Sequence, residues 1–204
     1  MKSLVLIGGG GFSAEVAEVA IQNGFEVLGY VDIRKTESGL NYLGEPDVYL
    51  YSNDPPKFIF PAFGAIDRKG LLRRSSSLRN LSGFIIPSLI SPHAYVSKSV
   101  IIGKGVFVSH GVVINPNTLL EDFSIINSGS IIGHDVKVSE CSIVSGNVFV
   151  GGDSNIGANT LIGPSVSIMN SVNVGSEVIV SIGSVVGRNV PDGKTTLPIL
   201  AKYV

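Results

Sequence analysis

IINSGSIIGHDVKVSECSIV, residues 125–144, places an aliphatic side chain at every sixth position: Ile126, Ile132, Val138 and Val144. The phase runs on in both directions, from Ile90, Val96, Ile102, Val108, Ile114 and Leu120 to Val150, Ile156, Ile162, Ile168, Val174, Val180 and Val186, seventeen positions without an exception. A period of six fits neither an α-helix nor an alternating strand. It fits a solenoid in which each hexad is one flat face of a triangular parallel β-helix with the aliphatic residue inside. Three hexads make a coil of 18 residues, so residues 90–190 predict nearly six coils, stacked about 4.8 Å apart. Four places after the aliphatic residues stand small or β-branched ones, among them Thr118, Ser124, Ser130, Ser142, Ser154 and Thr160, expected near the corners. Glycine often follows the aliphatic residue directly (Gly103, Gly133, Gly157, Gly163), where it is expected to relieve the backbone at a tight corner. No insertion breaks the hexads, so any cleft must come from a neighbouring subunit or from the residues before the repeat.

Composition agrees with a repetitive core: 25 glycines in 204 residues, no Trp and only 7% aromatic residues. Lys plus Arg number 15 against 16 Asp plus Glu, a net charge of −1, so no global field favours nucleic acid or an anionic membrane. The single cysteine, Cys141, forms no internal disulfide, and no cationic-then-apolar leader opens the chain, which suggests a reducing, cytoplasmic setting. The apolar stretch FIFPAF (58–63) is too short to span a bilayer.

Residues 1–85 read as a separate small Rossmann-like domain, followed by the β-helix over 86–204. SLVLI (3–7) is a strand, Gly8, Gly9, Gly10, Gly11, Phe12 and Ser13 a glycine loop, AEVAEVAIQNG (14–24) a helix and FEVLGYVD (25–32) a second strand ending in Asp32. Glycines let the backbone approach a ligand, a helix N-terminus offers free N–H groups to an anion, and an acid at the second strand end accepts hydrogen bonds from a ribose or base. The dinucleotide fingerprint is incomplete, because Ser13 or Ala14 stands where a third glycine would sit. KFIFPAFGAI (57–66) is a third strand ending at Gly64, and DRKGLLRRSSSLRN (67–80) a basic helix. Its Arg68, Lys69, Arg73, Arg74 and Arg79 read as a solvated face, with phosphate contacts as the alternative. A domain this small suits a single nucleotide.

His134-Asp135 interrupts a hexad on its corner side, and one coil of 18 residues further on stands Gly152. An imidazole oriented by a carboxylate takes a proton near neutral pH, and a glycine N–H a strand spacing away can hold an oxyanion, the parts acyl transfer needs. A solvent-facing corner is the alternative, as for His110 in the same place of its own hexad. Asn127, seven residues before His134, is either part of the same region or a corner hydrogen-bonder like Asn115.

The small glycine-loop domain with Asp32, the hexads, and INSGSIIGHD (126–135) together resemble the left-handed β-helix, acetyl-CoA-dependent nucleotide-sugar acetyltransferases, the group of the bacillosamine-pathway N-acetyltransferase and the sialic acid O-acetyltransferases. The resemblance covers nearly the whole chain. It implies His134 as general base, Asp135 as its modulator, Asn127 in the acceptor site, and Gly8 to Ser13, Asp32 and Gly64 around the nucleotide sugar. On the coenzyme side it implies Gly151, Gly152, whose amide meets the thioester carbonyl, and position 143. This chain departs from the pattern with Ile143 where relatives often have a second His, Phe12 where the loop usually presents His, and a tail LPILAKYV (197–204) that keeps only Pro198, Ala201 and Lys202.

The implied protein is a cytoplasmic homotrimer of bacterial glycan biosynthesis with no metal. It moves acetyl from acetyl-CoA to the amino group of a nucleotide-linked sugar, expected to be a 4-amino-4,6-dideoxy sugar. O-acetylation of sialic acid or a related hydroxyl is the nearest rival. A zinc enzyme of the γ-carbonic anhydrase type would need three histidines and has only His93, His110 and His134 to draw on, without a close pair in sequence. A non-enzymatic nucleotide-sensing module is the third class.

Overall fold

The computed structural model describes residues 2–197. It opens with β1 (Lys2–Ile7), α1 (Gly11–Gln22), β2 (Phe25–Val31), β3 (Tyr42–Gly44), α2 (Pro46–Tyr49), β4 (Phe58–Pro61) and α3 (Arg68–Arg79). The sheet is parallel with strand order β3-β2-β1-β4. α1 begins inside the glycine loop, earlier than its apolar spacing suggests, and β4 stops at Pro61 rather than running to Gly64. The short β3 and α2 had no signal strong enough to anticipate. α3 matches its expected span, with the Asp67 carboxylate accepting the Gly70 N–H as its cap.

From Leu89 onward the chain is a parallel β-solenoid of two-residue strands, β5 (Leu89–Ile90) to β21 (Val185–Val186), in three ladders of five, six and six strands. Each strand pairs with the one 18 residues on, as Ile125↔Ile143 and Ile131↔Phe149 show. The sixth-position aliphatics from Val108 to Val186 form one buried column, and Ile90, Val96 and Ile102 pack half-buried at its open end.

Two kinds of corner residue divide the work that the sequence assigned to glycine alone. Left-handed backbone falls three places after each aliphatic from Ile102 to Val180, at Gly105, Gly111, Asn117, Phe123, Gly129, Asp135 and on every six residues to Gly183. The glycines directly after the aliphatics are needed for a different reason: a Cβ on Gly133 would lie 2.5 Å from the Gly152 nitrogen, and one on Gly157 2.4 Å from the Gly175 carbonyl carbon. They permit coils to stack rather than relieve a turn. The buried hydroxyls then staple coil to coil. Ser142 Oγ donates to the Gly157 carbonyl at 2.6 Å and accepts the Thr160 N–H at 3.1 Å, and Ser130, Ser154 and Thr160 repeat the motif.

The three outer faces differ. Leu89, Phe107, Ile125 and Ile143 project from one face into the core of the α/β domain, beside Leu4, Leu6, Phe60 and Leu71. Burying four such side chains contributes about 1.5–3 kcal/mol each, so domain and solenoid form a continuous core. A second face presents Tyr95, Ile131, Phe149 and Val185 uncovered. Lys137, Asn155 and Asn173 make much of the third polar. Among the described residues no helix is long and apolar enough to cross a membrane.

Candidate active site

In this strand order the chain reverses between β1 and β4, where an open parallel sheet holds its ligand beyond the strand ends. A cleft of about 610 Å³ lies there. Gly8, Gly10, Gly11, Phe12 and Asp32 form one wall, and the segment 62–66, including Gly64, a second. The solenoid closes the third with Ile125 and Asn127 and, one coil on, Ile143 and Ser145. Of the two sources expected for a cleft, a neighbouring subunit or the residues before the repeat, the latter supplies this one. Phe12 packs edge-on against Phe107 at 5.0 Å, tying the loop to the solenoid. The N-cap of α1 is Gly10, with no side-chain cap and no acid in the first turn, and among the described residues the Gly11 and Phe12 N–H groups have no acceptor and are open to an anion.

Not every loop residue faces the cleft. A Cβ on Gly9 would meet the Tyr30 ring at 2.2 Å, and its N–H donates to Asp32 Oδ2 at 2.9 Å. Asp32 Oδ1 accepts the Ile33 N–H at 2.7 Å, so the acid expected on a ribose braces the loop while still lining the cleft. Ser13 is fully buried and donates to the Gly10 carbonyl at 2.6 Å, which corrects its expected place at the ligand. Ile143, expected on the coenzyme side, lines this cleft with its side chain in the shared core. Asn127 and Asn115 behave differently: Asn115 Nδ2 donates to the Ile132 carbonyl at 2.9 Å, whereas Asn127 Oδ1 is buried and unpartnered. The corner-brace reading holds for Asn115 alone.

Neither reading of the basic helix survives for two of its arginines. Arg74 is buried and donates to the carbonyls of Phe63, Cys141 and Phe123 at 3.1, 3.2 and 2.8 Å. Burial pushes its guanidinium down to about 10, still cationic at neutral pH. Arg68 reaches the carbonyls of Glu177 and Gly193. The helix thus docks along one solenoid corner, where corner carbonyls are left without strand partners. Lys69, Arg73 and Arg79 remain exposed.

His134 is exposed at the corner after Ile132, and its Nδ1 lies 2.8 Å from Asp135 Oδ2. Asp135 adopts φ 56°, a left-handed conformation that Asp tolerates. Its carboxyl is held below the usual carboxylate range by the His134 hydrogen bond first and by Asn117 Nδ2, 3.1 Å from Oδ1, second. With Nδ1 engaged, Nε2 is the free nitrogen. It lies 2.6 Å from where a Cβ on Gly152 would be, so only glycine leaves the imidazole its place. Gly151, expected on the coenzyme side, has its N–H on the Ile168 carbonyl and its missing Cβ against Asn170, and so permits the coils to stack. Among the described residues the Gly152 N–H has no acceptor. His110 is different: Nδ1 shares a hydrogen bond of 2.7 Å with buried Ser91, and Nε2 faces Glu18 of α1 at 3.9 Å. Its ring lies 5.9 Å from that of His93, while His134 groups instead with the exposed carboxylates Asp135 and Asp153.

Residues 3–70 match the PglD N-terminal domain family. The acetyltransferase domain of PglB from Neisseria gonorrhoeae, solved with acetyl coenzyme A, is 31% identical over 95% of this chain and 95% of that one, with a TM-score of 0.86. The chain belongs to the hexapeptide-repeat nucleotide-sugar acetyltransferases. PerB from Caulobacter crescentus, in complex with CoA and GDP-perosamine, is similar at 30% identity over 94% of this chain and 92% of that one, TM-score 0.84. A variant of perosamine N-acetyltransferase from the same organism, also with CoA and GDP-perosamine, gives 28% identity over 99% of this chain and 96% of that one, TM-score 0.87. No curated protein sequence matches the chain.

In this acetyltransferase His134 and the cleft stand apart within one chain. Asn127 and Ser145 sit at the corner before the Ile131–Phe149 face, His134 and Gly152 at the corner after it, and His134 does not line the cleft. Sequence reasoning missed Ile125, Ser145 and the cleft wall at Ala62, Phe63, Ala65 and Ile66. Ile143 and Ser145 were findable as the residues one coil above Ile125 and Asn127. The expected contacts of Pro198, Ala201 and Lys202 lie outside the described residues.

Proposed function

We propose that the protein transfers acetyl from acetyl-CoA to the amino group of a nucleotide-linked amino sugar. The observation that carries this reading is the free His134 Nε2 set beside Gly152 while Asp135 holds Nδ1. His134 takes the proton of the amine as its nitrogen attacks the thioester carbonyl carbon, and Asp135 stabilises the imidazolium that forms. The Gly152 N–H holds the tetrahedral oxyanion, worth on the order of 2.7–4 kcal/mol of barrier for one such donor. Collapse breaks the C–S bond, and His134 returns the proton to the departing thiolate. Gly10, Gly11 and the α1 N-terminus hold the diphosphate, and the buried Asn127 Oδ1 accepts from the sugar.

A homotrimer completes the site. The uncovered face that separates Asn127 from His134 carries Tyr95, Ile131, Phe149 and Val185, and packing it against a neighbour brings the cleft of one copy to the base of the next. Residues 1–85 then act as the nucleotide-sugar domain and 86–204 as the acyltransfer domain. The setting is cytoplasmic glycan biosynthesis, with a 4-amino-4,6-dideoxy sugar as acceptor, as the perosamine-bound relatives support.

The test is coenzyme A release from acetyl-CoA with UDP-, dTDP- and GDP-linked 4-amino sugars and with sialic acid. Release with an amino sugar, lost by about 10²- to 10⁴-fold in His134→Ala, is expected. Release with sialic acid alone moves the acceptor to a hydroxyl, and full turnover by His134→Ala removes the assigned base.

A further inference from the structure

We infer that Asn117 is a positioning residue for the base: it fixes the Asp135 carboxylate so that Oδ2 stays on Nδ1 of His134 and Nε2 stays free beside Gly152. The inference rests on the proposed role of His134. Asn117 lies one coil of 18 residues below Asp135, and both occupy left-handed corner positions, φ 61° and 56°. Backbone hydrogen bonds set the two residues relative to their neighbours: the Asn117 N–H donates to Ser99 Oγ at 2.9 Å, and the Asp135 N–H to the Pro116 carbonyl at 3.0 Å. From that frame Asn117 Nδ2 donates to Asp135 Oδ1 at 3.1 Å, leaving Oδ2 for the imidazole at 2.8 Å.

Both Asp135 and His134 are about half exposed, so packing alone does not fix their rotamers. Asp153, one coil above, also sets an exposed carboxylate at this corner and gives Asp135 no hydrogen. Asn117 is thus the one neutral donor holding the far oxygen of the carboxylate among the described residues. A histidine's proton sits on the nitrogen whose partner demands it. If the carboxylate turns away, Nδ1–H loses its acceptor and the proton redistributes toward Nε2, the nitrogen that must be bare.

A corner ladder could serve stability alone, and the molecule supplies a matched case. Asn147, also left-handed at φ 57°, donates to Ser165 Oγ one coil on at 3.2 Å, with no imidazole attached. Asn117→Gly and Asn147→Gly each delete one such rung at a position where glycine keeps the backbone unstrained. We expect Asn117→Gly to lower kcat about tenfold with KM for both substrates within about twofold, a loss of the size seen when a group orienting a functional histidine is removed. In the same variant ¹⁵N NMR of the imidazoles, readable because the chain has only three histidines, should move neutral His134 from the Nδ1–H toward the Nε2–H tautomer. Asn147→Gly should change neither. Wild-type kcat and tautomer in Asn117→Gly would overturn the inference, as would a kcat loss matched by Asn147→Gly or unaccompanied by a tautomer change. If His134→Ala kept its rate, the base assignment would fall, while the tautomer measurement would still decide what Asn117 does.

Discussion

A missing methyl group carries much of this site. Gly152 is not in a conformation that demands glycine; its Cβ would instead occupy the space of His134 Nε2, 2.6 Å away. The imidazole is exposed and can swing aside, so Gly152→Ala should fold with a melting temperature near that of the parent and yet lose on the order of 10²-fold in kcat. A variant that kept its rate would show that the imidazole works from some other position. Asp135 gives a pH signature. Its carboxyl titrates below the ordinary carboxylate range in the folded chain, because His134 and then Asn117 hydrogen-bond its charged form. Its contribution to stability is therefore complete above the unfolded carboxylate pKa and disappears as pH falls through the lowered folded value. The difference in melting temperature between the parent and Asp135→Asn should accordingly shrink as the pH falls through the acid range.

Stacked coils of two-residue strands have few backbone bonds each, and the elements that secure them are side chains at the corners. Ser142 is fully buried and serves two coils at once, so Ser142→Ala strands the Gly157 carbonyl and the Thr160 N–H together. That should cost about 1–3 kcal/mol, read by denaturant unfolding. α3 is held by a larger device. Arg74 gives three hydrogen bonds to carbonyls with no carboxylate partner, so its desolvation is offset by peptide dipoles alone. Arg74→Met keeps the packing and leaves three carbonyls without this donor, two of them buried. We expect a loss of about 3 kcal/mol or more and faster amide hydrogen exchange in α3 and in the segment around Phe63, with the central coils unchanged. Uniform exchange throughout would mean the helix does not depend on this anchor.

Across the whole molecule the three faces of the prism have three fates. One is sealed by the chain's own α/β domain, one is largely polar, and one is apolar and bare. Replacing Ile131 or Phe149, both on the bare face, by Asp places a charge where the proposed trimer buries apolar surface. Each variant should elute as a folded monomer by light scattering and lose transferase activity together with assembly, because the cleft and the base sit at opposite edges of that face. An active monomer would require the two corners to cooperate within one chain.

The hexad phase settled the solenoid, its 18-residue coil and its buried column, because a period of six satisfies only one regular backbone and each aliphatic residue reports its own position. His134, Asp135 and Gly152 were legible for the same reason: in a solenoid, sequence separation converts directly into vertical stacking. The lateral relations were not legible. Nothing in residues 67–80 says that Arg74 turns inward to carbonyls rather than outward to phosphate, since one basic helix pattern serves both and only the surface opposite decides. Nor does the spacing show that Gly9 and Ser13 support the loop while Gly10 and Gly11 line the cleft, or that Ile143 belongs to that cleft. The first two depend on side-chain contacts within the α/β domain, and the place of Ile143 on how that domain lies against the prism, none of which a hydrophobic period encodes.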